Sequence, residues 1–189
     1  VGKAVDALKA RGLACHGAAF DAADAGSARR GVEEVIARLG GLDIFVANAG
    51  IPSGRPLADW TEAHWDQVMD TNLRAAFFAA QAAGLHMKAR GKGRIILTAS
   101  ITGILGRATI HGYAASKAGL ASVARSLAAE LGPSGVTCNS ISPGYFQTDL
   151  NAALIKDPAF NERVVTRTAL KRWGQPHEIA GVALLLASD

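Results

Sequence analysis

Residues 93–144 read GRIILTASITGILGRATIHGYAASKAGLASVARSLAAELGPSGVTCNSISPG. The apolar run Arg94 to Thr98 has the length and β-branched bias of a buried strand, and it stops at Ala99-Ser100. After a loop, a helix is predicted from about Thr109 to Leu131, ended by Gly132-Pro133. Val136 to Ser142 reads as a second strand, broken by Pro143-Gly144. Strand, helix and strand in this order form a βαβ unit with parallel strands and a right-handed crossover.

The same alternation continues outward. Towards the N-terminus, Val1, Val5 and Leu8 predict a helix stopped by Gly12, followed by a strand over Leu13 to Phe20 that ends at Asp21. Ser27 to Leu39 is helical, with Val32, Val35, Ile36 and Leu39 on one face, and Gly40-Gly41 ends it. Leu42 to Ala47 is a buried strand running into Asn48-Ala49-Gly50. Pro52 to Pro56 is a loop, and a long helix runs from Thr61 to about Arg90, with a break near Asn72. Towards the C-terminus, Asp149 to Thr168 is helical but interrupted at Pro158, and Pro176 opens a helix to about Ala187. The pattern predicts one α/β domain over residues 1–189, a parallel sheet between two helical layers.

The 189 residues carry 20 Lys+Arg against 16 Asp+Glu, a net charge of +4, with 49% hydrophobic and 19% charged residues. That balance excludes a disordered tail. Thirty-eight alanines and 21 glycines suit helices packed closely on one another or on a sheet. No apolar run reaches the length of a membrane span, and Val1-Gly2-Lys3 opens no signal segment, so a cytoplasmic protein, or the inner part of a longer one, is expected. Cys15 and Cys138 match no metal or redox spacing, and His16, His64, His86, His111 and His177 form no HxxxH pattern, so no metal is expected. Lys88, Arg90, Lys92 and Arg94 read as a helix end and a solvated turn, not as a nucleic-acid surface.

Ligands of open parallel sheets bind beyond the strand C-terminal ends. Asp21, Asn48, Ser100 and the Pro143–Thr148 loop fall there. Tyr113 and Lys117 stand four apart near a helix start, so they share a face. An ordinary phenol is a poor base at neutral pH, and an adjacent ammonium is expected to lower its pKa into a useful range. Ser100, at the strand end, can hydrogen-bond a substrate oxygen. A Ser100–His111 nucleophile pair is the weaker alternative, since no G-x-S-x-G surrounds Ser100.

Together these residues resemble the short-chain dehydrogenase/reductase family. The marks are Asp21-Ala22, Asn48-Ala49-Gly50, Asp70-Thr71-Asn72-Leu73, Gly93-Arg94-Ile95-Ile96 leading to Ser100, Tyr113-Ala-Ala-Ser-Lys117, Pro143-Gly144 with Thr148, and Arg172-Trp173-Gly174-Gln175-Pro176. The resemblance implies a Rossmann-like doubly wound sheet and NAD or NADP as cofactor. It implies Tyr113 as general acid/base, Lys117 on the nicotinamide ribose, Ser100 on the substrate oxygen, and Asn72 anchoring a relay water. Asp21 and Ala22 would meet the adenine, Asn48, Ala49 and Gly50 the adenosine side, and Pro143, Gly144, Phe146 and Thr148 the nicotinamide. Where the family usually has another Asn, this chain has Ala47.

The family opens with a strand, a Gly-rich phosphate-binding turn and a helix, and no G-x-x-x-G-x-G stands in these residues. The chain is therefore read as lacking the first strand–helix–strand unit and the last strand, so the Leu13–Phe20 strand is left without a neighbour and little activity is expected of these residues alone. The residue that selects NAD or NADP is absent from these residues as well. The stretches Pro143 to Leu154, Asp157 to Phe160 and Arg172 to Gly174 look most like the gluconate 5-dehydrogenase branch. Arg107, in the loop before Tyr113, is a candidate partner for a sugar-acid carboxylate. A 3-oxoacyl-carrier-protein reductase and a non-catalytic binding member of the fold remain alternatives. The expected partners are a small-molecule substrate, without nucleic acid or membrane, and further copies of the full-length protein in a homodimer or homotetramer. Small-residue faces on the two long helices (Ala75, Ala76, Ala79, Ala80; Ala118, Ala121, Ala124, Ala128) would carry those contacts.

Overall fold

A computed structural model describes all of residues 1–189. Helices α1 (Gly2–Lys9) and α2 (Ala25–Leu39) precede strand β1 (Ile44–Ala47). Helices α3 (Glu62–Met69) and α4 (Ala75–Arg90) lead to β2 (Gly93–Thr98), and α5 (His111–Leu131) to β3 (Val136–Ile141). Three shorter helices follow: α6 (Ala152–Lys156), α7 (Pro158–Arg167) and α8 (Ala180–Ala187). The strands form one parallel sheet in the order β1-β2-β3, with Phe45 opposite Ile95 and Ile95 opposite Cys138.

Period-two alternation in β2 separates the layers. Ile95 and Leu97 enter a core shared with α2, α4 and α5, in which Met87, Leu120 and Leu131 are buried. Ile96 is buried outside that core cluster, and α8 packs against β2. Arg94 reaches the same C-terminal segment, its Nε donating to Ser188 O at 2.8 Å. Ala28 on α2 and Ala79, Ala80 and Ala83 on α4 let these two helices approach closely. Four of the small residues expected to face a second subunit, Ala75, Ala79, Ala80 and Ala124, are thus used inside the chain.

Leu13 to Phe20 form no strand. A strand persists only when its backbone groups find a partner, and β1 pairs with β2 alone, leaving Ile44 and Val46 exposed. The segment is held by side chains instead: the Phe20 ring lies on Gly31, where any Cβ would collide with it.

The break near Asn72 is present and has a definite form. Asp70–Arg74 is a single π-helical turn joining α3 to α4. Such insertions widen a helix by one residue and are frequent at functional sites. The Pro158 interruption is present too: Asp157 caps α7 by accepting from Ala159 N at 3.1 Å and Phe160 N at 3.3 Å.

Candidate active site

The C-terminal ends of the three strands open into one cleft of about 550 Å³. Asn48 follows β1, Ser100 follows β2 and Pro143 follows β3, and all three line it. Gly50, Arg107, Tyr113 and Lys117 line it as well. So do Gly144, Phe146 and Thr148. Asn72 is fully buried beside it. Asp21, Ala22 and Ala49 do not line the cleft. Asp21 closes its own turn, accepting from Ala23 N at 2.8 Å, while its N–H donates to Ser27 Oγ at 3.1 Å.

Ser100 is buried and caps the short turn Ile101–Gly103. Its Oγ accepts from Thr102 N at 3.2 Å and from the Thr102 hydroxyl at 2.9 Å. A serine oxygen has two lone pairs, so both are occupied and its own proton is left to donate. Ser100 is therefore built as a donor towards the cleft. His111 supplies no base for it: that ring is exposed and packs edge-on against Trp60, with centroids 6.0 Å apart.

Tyr113 and Lys117 share the cleft face of α5, as their spacing predicts, but their coupling differs from expectation. Lys117 Nζ donates to Thr98 O at 2.6 Å and lies over the Tyr113 ring, 5.8 Å from its centroid. Burial drops this ammonium to about 8. Tyr113 moves the other way: burial raises its phenol above the ordinary 10, and the Ser100 hydroxyl and Arg107 guanidinium pull it down without offsetting that. The Ser100 hydroxyl and the Arg107 guanidinium favour the phenolate, and burial outweighs them. At neutral pH Tyr113 is a proton donor.

Asn72 ties three elements together. Its Oδ1 accepts from Ile51 N at 2.8 Å, and its Nδ2 donates to Ile51 O at 3.0 Å and Ser116 Oγ at 3.2 Å. One Oδ1 lone pair remains. A Cβ on Gly50 would stand 3.2 Å from that oxygen and 3.4 Å from Lys117 Nζ, so glycine keeps this corner open. Lys117 has three donors and spends one on Thr98. A sugar's hydroxyls fit such a donor set beside an open backbone, so the residues present suit the ribose of a dinucleotide.

The loop after β3 is fixed from outside. Phe146 bridges Gly174 in parallel, Gln147 N donates to Gly174 O at 2.9 Å, and Gly174 N donates to Tyr145 O at 2.9 Å. Trp173 is buried, packs edge-on against Tyr145 at 5.5 Å and donates to Asn161 Oδ1 at 2.7 Å. The Arg172-Trp173-Gly174 motif thus holds the cleft wall. Sequence reasoning did not identify Thr98, Thr102 or Ser116 as parts of the site, and it placed Tyr145 there only as a member of the Pro143–Thr148 loop. Tyr145 carried a signal, an aromatic directly after Pro143-Gly144; Thr98 acts through its carbonyl and carried none.

A family model described as enoyl-(acyl carrier protein) reductase matches residues 2–189. The gluconate 5-dehydrogenase of Gluconobacter oxydans is 35% identical over 181 residues, 96% of this chain and 71% of that protein. The chain belongs to the short-chain dehydrogenase/reductase family. It is an oxidoreductase of that family, with the family's Rossmann-like fold. The crystal structure of a gluconate 5-dehydrogenase from Burkholderia cenocepacia J2315, in complex with NADP and tartrate, superposes with a TM-score of 0.94 at 39% identity, covering 98% of this chain and 73% of that one. A 3-oxoacyl-[acyl-carrier-protein] reductase of Staphylococcus aureus is 35% identical over 185 residues, 98% of this chain and 74% of that family member. No helix of the chain is long and apolar enough to cross a membrane.

Proposed function

We propose that the protein interconverts a secondary alcohol and a ketone with NAD or NADP, on a sugar acid such as gluconate. The observation that carries this reading is the convergence of Tyr113, Ser100 and Lys117 on one cleft with Arg107 in its wall. Bound nicotinamide dinucleotide supplies or accepts the hydride. In reduction, Tyr113 gives its phenolic proton to the ketone oxygen, and the Ser100 O–H donates to the same oxygen. The remaining Lys117 donors hold ribose hydroxyls, and the unused Asn72 lone pair anchors a water on the proton path to solvent. Asn48 and Gly50 bound the adenosine side, and Pro143, Gly144, Phe146 and Thr148 bound the nicotinamide side. Asp21, Ala22 and Ala49 join the adenosine side by resemblance alone. Arg107 takes the substrate carboxylate. Homodimers or homotetramers through α4 and α5 belong to the same reading, supported by the exposed Leu85.

The test is a substrate panel on the full-length protein with NAD and with NADP, followed at the reduced-nicotinamide absorbance. Gluconate oxidation or 5-ketogluconate reduction above the rate on neutral polyols is expected. Preference for a 3-oxoacyl thioester would replace the sugar-acid reading with that of the Staphylococcus aureus relative. No turnover on any substrate, with cofactor bound, would make the protein a non-catalytic member.

A further inference from the structure

A second cavity of about 230 Å³ adjoins the cleft and shares Ile101, Thr102, Arg107 and Tyr145 with it. Its far wall is α7, which contributes Arg163 and Arg167. The lining thus holds three guanidinium groups and no carboxylate.

None of the three is in an ion pair within 4.0 Å. Other arginines of the chain are unpaired too; what marks these three is that they line one cavity that holds no acid. Arg163 and Arg167 are one helical turn apart, so they present like charges on one face, an arrangement that opposes the helix unless an anion meets it. The face is rigidly placed. Between the two arginines, Val164 is buried, and Phe160 at the start of the helix lies under the Arg107 guanidinium, 5.4 Å from ring centroid to Cζ.

Arg107 thus stands at the junction of the two cavities, with Tyr113 on one side and α7 on the other. Planar guanidinium forks suit the oxygens of a carboxylate or phosphate.

We infer that Arg163 and Arg167, together with Arg107, form an anion subsite for the end of the substrate remote from the reacting carbinol, a carboxylate or a phosphate on a polyhydroxy chain. This rests on the proposed sugar-acid reading for the reaction and adds two residues that select its substrate. The subsite sorts substrates by the charge they carry away from the reacting carbon, while Tyr113 and Ser100 act on the carbinol itself.

The experiment compares the intact protein with Arg163→Gln, Arg167→Gln and the double variant. Both residues are exposed, so the fold is expected to survive, and thermal unfolding checks it. Three substrates separate the chemistry: gluconate for the carboxylate, sorbitol 6-phosphate for the phosphate, and sorbitol as the neutral chain. The ratio of kcat/KM for the preferred anionic substrate to that for sorbitol is expected to fall 10- to 100-fold in the double variant, through KM. Lysine at either position should restore part of it. Whichever anionic substrate shows the larger fall identifies the group.

Calorimetric titration with inorganic phosphate gives a readout independent of turnover, and weaker binding by the double variant is expected. If the wild type oxidises no sugar acid yet loses phosphate binding in the variant, the subsite stands and the sugar-acid reading fails. An unchanged ratio with unchanged phosphate binding overturns the subsite, whether or not gluconate is a substrate.

Discussion

Lys117 Nζ donates to the carbonyl of Thr98 at 2.6 Å, joining the first turns of α5 to the last residue of β2. This contact fixes a charge where the fold would prefer none. Lys117 is 4% exposed, and burial drops its ammonium from 10.5 to about 8. That shift corresponds to a destabilisation of up to about 3 kcal/mol at neutral pH.

The first prediction follows from the sign of that shift. Below pH 8, Lys117 is charged in the folded and unfolded chain, and the full cost is present. Between about 8 and 10.5 the unfolded chain holds the extra proton, so stability rises with pH until the cost is gone. Lys117→Met should therefore raise the unfolding free energy at pH 7 by up to about 3 kcal/mol, while removing activity. Its advantage should shrink as pH approaches 10.5. Denaturant titrations at several pH values measure this; a wild type more stable than the variant at pH 7 contradicts it.

Tyr113 yields a prediction in which reaction direction matters. Its pKa is raised by burial, so the protonated form needed for ketone reduction dominates across the neutral range. Oxidation needs the phenolate. Reduction should be nearly flat from about pH 6 up to about 8, above which Lys117 begins to lose its charge, whereas kcat/KM for oxidation should still gain from phenolate formation up to at least about pH 10. Tyr113→Phe should lower turnover in both directions by at least about 100-fold with little change in cofactor affinity. Initial rates and cofactor titration check both, and near-normal turnover by the variant would remove Tyr113 as proton donor.

Asn72 is the buried polar residue on which most local hydrogen bonds converge. Asn72→Ala leaves Ile51 N, Ile51 O and the Ser116 hydroxyl without it. A loss of about 2–4 kcal/mol is expected, the usual scale for stranding several buried polar groups. Asn72→Asp keeps the acceptor for Ile51 N and loses both donated bonds, so it should not rescue. Thermal unfolding tests this; a loss below about 0.5 kcal/mol would mean that water replaces the amide.

The elements that local pattern predicts well are those whose partners lie in the same chain. Ile95 and Leu97 alternate as a buried strand should, and β1 and β3 flank them. The break near Asn72 is legible because Asp70-Thr71-Asn72 groups three poor helix formers between the two helical stretches. Leu13 to Phe20 reads as a strand from its apolar run and forms none: it has no β-branched residue, and pairing is a property of the sheet and not of the segment. The i,i+4 spacing put Tyr113 and Lys117 on one face, but it could not show that the ammonium is engaged by Thr98 O. Arg163 and Arg167 escaped notice for a similar reason. They lie far from Ser100 in sequence, and tertiary packing brings their helix to the cleft: Phe160 sits under Arg107 and against Tyr145, and Asn161 accepts from Trp173.

Arg107 is where the substrate assignment can be broken. It lines both cavities, and its charge helps to pull down the Tyr113 phenol. Its partner in the structure is an aromatic ring and not an acid, so its guanidinium edge is available to a carboxylate. One charge-assisted hydrogen bond contributes about 1.5–3 kcal/mol. Arg107→Ala should then lower kcat/KM for gluconate by roughly 10- to 100-fold. Neutral ketones of similar size should suffer less, though not nothing: losing this cation also raises the Tyr113 pKa, so oxidation of every substrate should shift towards higher pH. Arg107→Lys should restore the phenol's environment more fully than gluconate recognition, since an ammonium keeps the charge but not the planar fork. The two roles separate in one data set, pH profiles of kcat/KM on a charged and a neutral substrate for both variants. Equal losses on the two substrates at every pH would mean that Arg107 holds the loop against Phe160 and touches no carboxylate.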